Sequence, residues 1–265
     1  MMAYMDTTAH DIASMPRGGP DASWLDRRLQ TNRLEYLDRD DVDDRKRTVV
    51  CSLDRVGRLF GQHKKFARMA LGEVANIPSP KILELGCGHG GLSRKLLENH
   101  PTAEVTVTDI EPTFVAAVAA SDLGSHPRAT VREMDATAID APDGYYDLVV
   151  FSLSLHHLPP ALAARVFAEG TRAGNKLLII DAPRPPAPLH LVVLAVTLPF
   201  TGLSPYAHDG FISSLRAYSA SALRALAYYA GPAITVEFRT RRWGQTVAVA
   251  SRAGQTGNRQ RDHEP

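Results

Sequence analysis

The chemistry in this chain gathers first in a glycine-rich run, Glu84-Leu85-Gly86-Cys87-Gly88-His89-Gly90-Gly91, which leaves a short apolar segment and enters a helical one. Glycines let the backbone turn sharply and approach a ligand with no Cβ in the way, and the helix that follows offers free N–H groups at its start. A nucleotide-like ligand belongs there. The histidines form a second group. His156 and His157 follow the apolar run Leu148-Val149-Val150-Phe151, and His208 stands beside Asp209. An imidazole titrates near neutral pH, so each is a candidate general base, with His190 a weaker one. The competing reading of the His156-His157 pair is structural, with a ring bonded to backbone.

Gly86-x-Gly88-x-x-Gly91 alone also fits a dinucleotide fingerprint, so its neighbours must choose the ligand. Asp109 closes the next apolar run, Val105-Thr106-Val107-Thr108-Asp109, where a carboxylate accepts both ribose hydroxyls; NAD and S-adenosylmethionine (SAM) sites share that feature. Three others favour SAM. Glu84, just before the first glycine, suits the positive end of an amino-acid moiety. Asp135, in Val131-Arg132-Glu133-Met134-Asp135-Ala136, can accept from an adenine amino group. The third is the run from Tyr146 to Leu158. A plainer reading makes Asp109 and Asp135 strand-end carboxylates that cap the next turn. Cys87 reads as a small loop-filling residue rather than a nucleophile, and His89 as exposed.

Taken together, ILELGCGHGGLS, VTVTDIEP, VREMDATAI and YDLVVFSLSLHHLP resemble, in order and spacing, the motifs of class I SAM-dependent methyltransferases over residues 81–181. The resemblance implies that Gly86, Cys87 and Gly88 line the methionyl part of SAM and that Asp109 holds the ribose. It implies further that Ile110 packs on the adenine, that Asp135 and Ala136 read the adenine edge, and that Phe151 or Ser152 meets the methionyl amine through backbone. S-adenosylhomocysteine is then the product. Asp147 is expected to be a structural strand-start residue. No metal ligand set is read from the sequence.

These residues need a scaffold, and the pattern supplies one. Apolar runs at 81–85, 104–109, 129–134, 146–152 and 176–181 alternate with helical stretches near 90–99, 112–121 and 160–173, which predicts a doubly wound α/β fold with a mostly parallel sheet. Residues 233–238 and 246–250 predict a closing hairpin, similar to that family's antiparallel last strand and making seven strands. Before the sheet, 21–80 reads as a helical cap, with one helix from Asp21 through Leu37, a charged interruption at 38–46, and a second helical region to Asn76 bent at Gly61. Residues 1–20 and 254–265 read as a flexible leader and tail around a domain at 81–253, and 182–232 as a helical lid inserted within it. Tyr36, Phe60 and His63 lie where a cap could close over the cofactor.

Composition sets the outer limits. Thirty basic residues against 29 acidic ones give a net charge of +1, without the broad positive field that nucleic-acid binding uses. The basic runs 63–65 and 239–243 read as solvated surface. Two cysteines, Cys51 and Cys87, and a polar N-terminus without a signal-type apolar segment lead to a cytoplasmic expectation.

The acceptor is less defined. LHLVVLAVTLPF, residues 189–200, is too short to span a bilayer and apolar nearly all round. Core packing is the default reading, an apolar acceptor pocket the next, and a membrane surface the third. An Asn/Asp-Pro-Pro-aromatic motif of nucleic-acid amine methylation does not follow the fourth strand. Nor does the paired-glutamate loop of arginine methylation occur. The expectation is therefore O-, N- or C-methylation of a small, apolar or aromatic acceptor, mainly by proximity and orientation, with no nucleic-acid partner and no stable membrane insertion. The alternatives are a SAM-binding regulator or scaffold without catalysis and an NAD-dependent oxidoreductase.

Overall fold

The apolar runs pair into one seven-stranded sheet in the computed structural model, which describes residues 12–39, 41, 43–239 and 244–253. In chain order the elements are α1 (Trp24–Arg28), α2 (Asp43–Leu59), α3 (Gln62–Glu73), β1 (Lys81–Leu85), α4 (Gly91–Asn99), β2 (Glu104–Asp109), α5 (Pro112–Ala119) and β3 (Ala129–Glu133). Then come β4 (Leu148–Ser152), α6 (Pro160–Ala173), β5 (Leu177–Asp181), α7 (Ala187–Thr197), α8 (Pro205–Arg216), α9 (Ala220–Ala230), β6 (Ile234–Phe238) and β7 (Thr246–Arg252). Short 3-10 turns lie at Tyr36–Asp38, Leu155–His157 and Leu198–Phe200.

The strand order is β3-β2-β1-β4-β5-β7-β6, with β1 to β5 parallel and β7 antiparallel to both neighbours. The direction of winding reverses between β1 and β4, whose register sets Leu85 beside Phe151. In open α/β sheets the crevice outside the carboxyl ends at such a reversal receives ligands.

Successive side chains of a strand point to opposite faces, and the core divides accordingly. Leu83, Leu85, Val149, Phe151, Leu177 and Ile179 pack with α6 and α9 on one face. Ile82, Val105, Val107, Leu148, Val150, Leu178 and Ile180 pack with α3, α4 and α5 on the other. Asp147 does serve the start of a strand: its Oδ2 accepts from the Lys81 N–H at 2.8 Å. Neither cysteine is in a disulfide, Cys51 being exposed and Cys87 buried.

Four expectations are corrected. Residues 12–20 are not loose leader: Ile12 lies in the core and Arg17 is buried beneath the 155–158 turn. The long helix read from Asp21 to Leu37 is a five-residue α1, with Trp24 and Leu34 exposed. Polar tethers fix this segment instead, since buried Arg184 donates to the Asp26 carboxylate (2.9 Å) and to the Leu29 carbonyl (2.8 Å). The charged interruption read at 38–46 is shorter than that, because α2 already begins at Asp43, and Asp38 is drawn inward by ion pairs.

The fourth correction concerns α7. Core packing fails there, because only His190 and Leu194 are buried while Leu189, Leu191, Val192, Val193 and Val196 are exposed. A helix apolar on all sides needs cover all round, and α8 and α1 cover α7 only in part, with Ser214 meeting His190 Nε2 at 3.0 Å. Among the described residues no helix is long and apolar enough to cross a membrane. Parts of the flanking readings, at 1–11, 240–243 and 254–265, lie outside the described residues.

Candidate active site

The glycine loop leaves β1 at Gly86, whose φ of +63° lies in the left-handed region that a residue with a Cβ resists. The loop is pinned to β2 by backbone and one carboxylate. Cys87 N–H donates to the Thr108 carbonyl (2.9 Å), and Gly88 N–H donates to Asp109 Oδ2 (2.9 Å). Asp109 Oδ1 accepts from the Glu111 N–H at 3.0 Å, so this residue caps its turn while facing the loop. An ionised carboxylate has about four acceptor sites, which leaves capacity for ribose hydroxyls.

Glu84 is wholly buried and accepts a hydrogen bond from the Ser93 hydroxyl on α4. Burial pushes its pKa up to about 7, with the Ser93 bonds opposing. It acts here as a strut between β1 and α4. Burial likewise drives the Cys87 thiol well above its ordinary range, which leaves it a filler and not a nucleophile. His89 is exposed, its ring edge-on to Phe114 at 5.7 Å.

The adenine-side residues fall beside one another. Asp109 and Glu133 are in register across β2 and β3, and Met134 N–H donates to the Asp109 carbonyl (3.0 Å), bringing Asp135 to the same edge. Asp135 is exposed and caps its turn through Thr137 N–H (2.7 Å). Ile110 is exposed and Ala136 is half-buried. On β4, Phe151 is buried and Ser152 half-buried. Leu153, with φ +53°, then turns the chain sharply, strain of the kind that gathers at functional edges. The cap does reach the loop: a Cβ on Gly91 would stand only 2.6 Å from His63 Nε2, so α3 lies directly over the start of α4.

The three candidate base histidines differ sharply. His156 is buried, with Nδ1 at 2.6 Å from Asp181 Oδ1 and Nε2 at 3.5 Å from Glu35 Oε1. Burial alone favours the neutral ring, but the Asp181 carboxylate and then Glu35 outweigh it and raise the pKa to about 10. Closed in between these two carboxylates, with its side chain only 5% exposed, His156 is the least accessible of the three to an acceptor. His157 is part-exposed, with Nδ1 at 2.7 Å from Asp38 Oδ1 and Nε2 at 3.8 Å from Glu35 Oε2. His208, also part-exposed, has Nδ1 at 3.0 Å from Asp209 Oδ1 and stacks on the Tyr36 ring. The weaker candidate, His190, is buried against Ser214, and burial lowers its pKa.

Sequence reasoning passed over the residues that hold these rings. Asp181 ends β5, a position readable as a strand-end carboxylate. Glu35, Asp38, Arg17 and Arg216 carried no local signal. Arg216 is buried, donating from Nε to the His156 carbonyl (3.2 Å) and from its terminal nitrogens to the His157 carbonyl and Asp38 Oδ2. Arg17 donates to the carbonyls of His156 (3.1 Å) and Leu158 (2.9 Å) and stacks on Tyr218. Opposing its burial, the His156 and His157 rings keep the Glu35 carboxyl below its ordinary range.

A glycine loop after β1, a carboxylate at the end of β2, a further carboxylate after β3 and a reversed last strand define a Rossmann-like cofactor-binding fold. Residues 82–175 match the family described as a methyltransferase domain. The demethylmenaquinone methyltransferase of Thermus thermophilus is 29% identical over 160 residues, covering 56% of this chain and 71% of that enzyme. Other curated relatives are matched over smaller shares of their length, from 52% down to 4%. An O-methyltransferase family protein from Burkholderia thailandensis shares the fold at a TM-score of 0.59, with 17% identity over 84% of this chain and 65% of that one. The plantazolicin methyltransferase BpumL, crystallised with a monoazolic desmethylPZN analog and SAH, does so at 0.58, with 12% identity over 78% of this chain and 90% of that one. Residues 82–175 thus form a methyltransferase domain on a Rossmann-like fold, with SAM as the cofactor.

Proposed function

We propose that the chain methylates a small apolar acceptor, chiefly by proximity and orientation, with His208 taking the acceptor's proton. SAM supplies a methyl already activated on a sulfonium, so the protein has mainly to bind, align and exclude water. Asp109 would hold the ribose hydroxyls, Gly86, Cys87 and Gly88 the methionyl part, and Phe151 or Ser152 the methionyl amine. Ile110, Asp135 and Ala136 would meet the adenine. Glu84 supports the loop from beneath.

The observation that carries the acceptor class is α7. This helix follows the carboxyl end of β5, the edge on which the glycine loop lies, and it exposes Leu189, Leu191, Val192, Val193 and Val196, continued by Leu198, Phe200 and Leu203. An apolar surface of that kind suits an apolar ligand. His208 is favoured over its rivals because Asp209 orients its ring while its side chain stays 25% exposed. That is the base-and-orienter arrangement of general-base catalysis.

Transfer of radiolabelled methyl from SAM into a cell extract tests the reading. Label should enter a small molecule extractable into organic solvent; label in protein or nucleic acid instead would refute the acceptor class. With the acceptor in hand, His208→Ala should lower kcat by about 10²–10³ at neutral pH and recover part of it in alkali. An unchanged pH–rate profile would remove His208 from the chemistry.

A further inference from the structure

Glu35 meets the adjacent pair His156 and His157 although it lies far from them along the chain. One ligand atom from each lies within 4.8 Å of the other two. Their bonding is lopsided. Each imidazole faces a carboxylate closely through Nδ1, His156 to Asp181 at 2.6 Å and His157 to Asp38 at 2.7 Å. On the other side, the two Nε2 atoms stand 3.5 and 3.8 Å from the two oxygens of Glu35.

Those longer separations decide the matter. A charge-assisted N–H···O bond settles at about 2.7–2.9 Å, and the Nδ1 contacts, at 2.6 and 2.7 Å, are that short or shorter. Ligands that each lie about 2.0–2.1 Å from one tetrahedral ion stand roughly 3.3 Å apart, close to the spacing around Glu35. The Nδ1 contacts then have a known purpose. A metal-binding imidazole usually gives its other N–H to a carboxylate, which fixes the ring and the tautomer. The turn carrying both rings is also held in advance, by Arg17 and Arg216 on the carbonyls of His156, His157 and Leu158. Such support of ligand side chains is what a binding site requires.

We propose that Glu35, His156 and His157 bind a divalent first-row transition metal, of which zinc is the reference, and so tie the N-terminal segment to the carboxyl edge of the sheet. Two imidazoles and a carboxylate suit zinc, cobalt or iron(II); magnesium and calcium prefer oxygen alone. His157, whose side chain is 19% exposed, provides the path of entry, while Glu35 and His156 are sealed beneath it. The proposal is independent of the acceptor and of His208, because metal binding is measured without methyl transfer.

The test is calorimetric titration of Zn²⁺, and of Co²⁺ followed by its visible absorption, into the full chain stripped with chelator. One ion per chain is expected. Glu35→Gln and His157→Ala should each weaken binding by at least about tenfold, and Asp38→Asn, which loosens the His157 ring support and the Arg216 contact, by about 10–100-fold. Absence of stoichiometric binding to the wild type overturns the proposal. So does unchanged affinity in Glu35→Gln or His157→Ala, which would put the ion on other histidines. Should a variant fail to fold by circular dichroism, histidine-selective NMR of the wild type decides: Zn²⁺ must shift the Nε2 resonances of both His156 and His157, and unmoved signals reject the site.

Discussion

Two halves of the sheet's carboxyl edge are built on opposite plans. On the cofactor half, backbone amides of a contiguous loop meet a carboxylate on the next strand, and the Gly88–Asp109 bond closes a separation of only 21 residues. On the other half, side-chain ions meet across the whole chain: 119 residues separate His157 from Asp38, and 178 separate Arg216 from Asp38. The first half holds its shape through local geometry. The second holds it through desolvated charges, which are strong only while every partner is present. Damage should therefore be larger, and more structural, on the second half.

The largest effect is expected at Arg216. Its loss removes a donor from the His156 and His157 carbonyls and the cation paired with Asp38, and breaking an ion pair of this kind costs about 3–5 kcal/mol. Urea unfolding of Arg216→Ala measures it. A loss below 1 kcal/mol would mean that the network is ornamental and the contrast between the halves false.

Glu84 gives the cofactor half its own pH signature. Its folded pKa of about 7 stands above the ordinary 4.5, so between those values the folded chain keeps a proton that the unfolded chain has released. The associated stability is complete below pH 4.5 and is lost as pH rises through 7, to a total of up to about 3 kcal/mol. Relative to wild type, Glu84→Gln should gain stability across that window. Parallel pH curves for the two proteins would show that Glu84 is not buried as an acid. The smallest effect belongs to α7: Val196→Gln, on the exposed helix face, should change stability by less than about 0.5 kcal/mol. A loss of several kcal/mol would restore the core-packed reading.

The same contrast explains what could be read from the sequence. Strands β1 to β5 and helix α6 were legible because apolar periodicity and glycine or proline punctuation are local. Asp109 and Asp135 were legible because a strand end and the glycine loop fix their place. Glu35 and Asp38 were not, since a carboxylate in a charged stretch looks solvated until the fold brings an Arg216 or a His157 against it. For α7 the hydrophobic pattern spoke correctly of an all-apolar helix but not of how much of it would find cover. The burial of Arg17 similarly depends on the turn after β4, set by Leu153 in a conformation that no residue type announces.

The account stands most directly on Asp109, which pins the glycine loop and is proposed to hold the ribose. Calorimetry of SAM binding to the wild type and Asp109→Ala under identical conditions tests it. The predicted result is SAM binding by the wild type that weakens by about 1–3 kcal/mol in the variant, the cost of leaving hydroxyls without their charged acceptor. Equal affinity in the two proteins would contradict it.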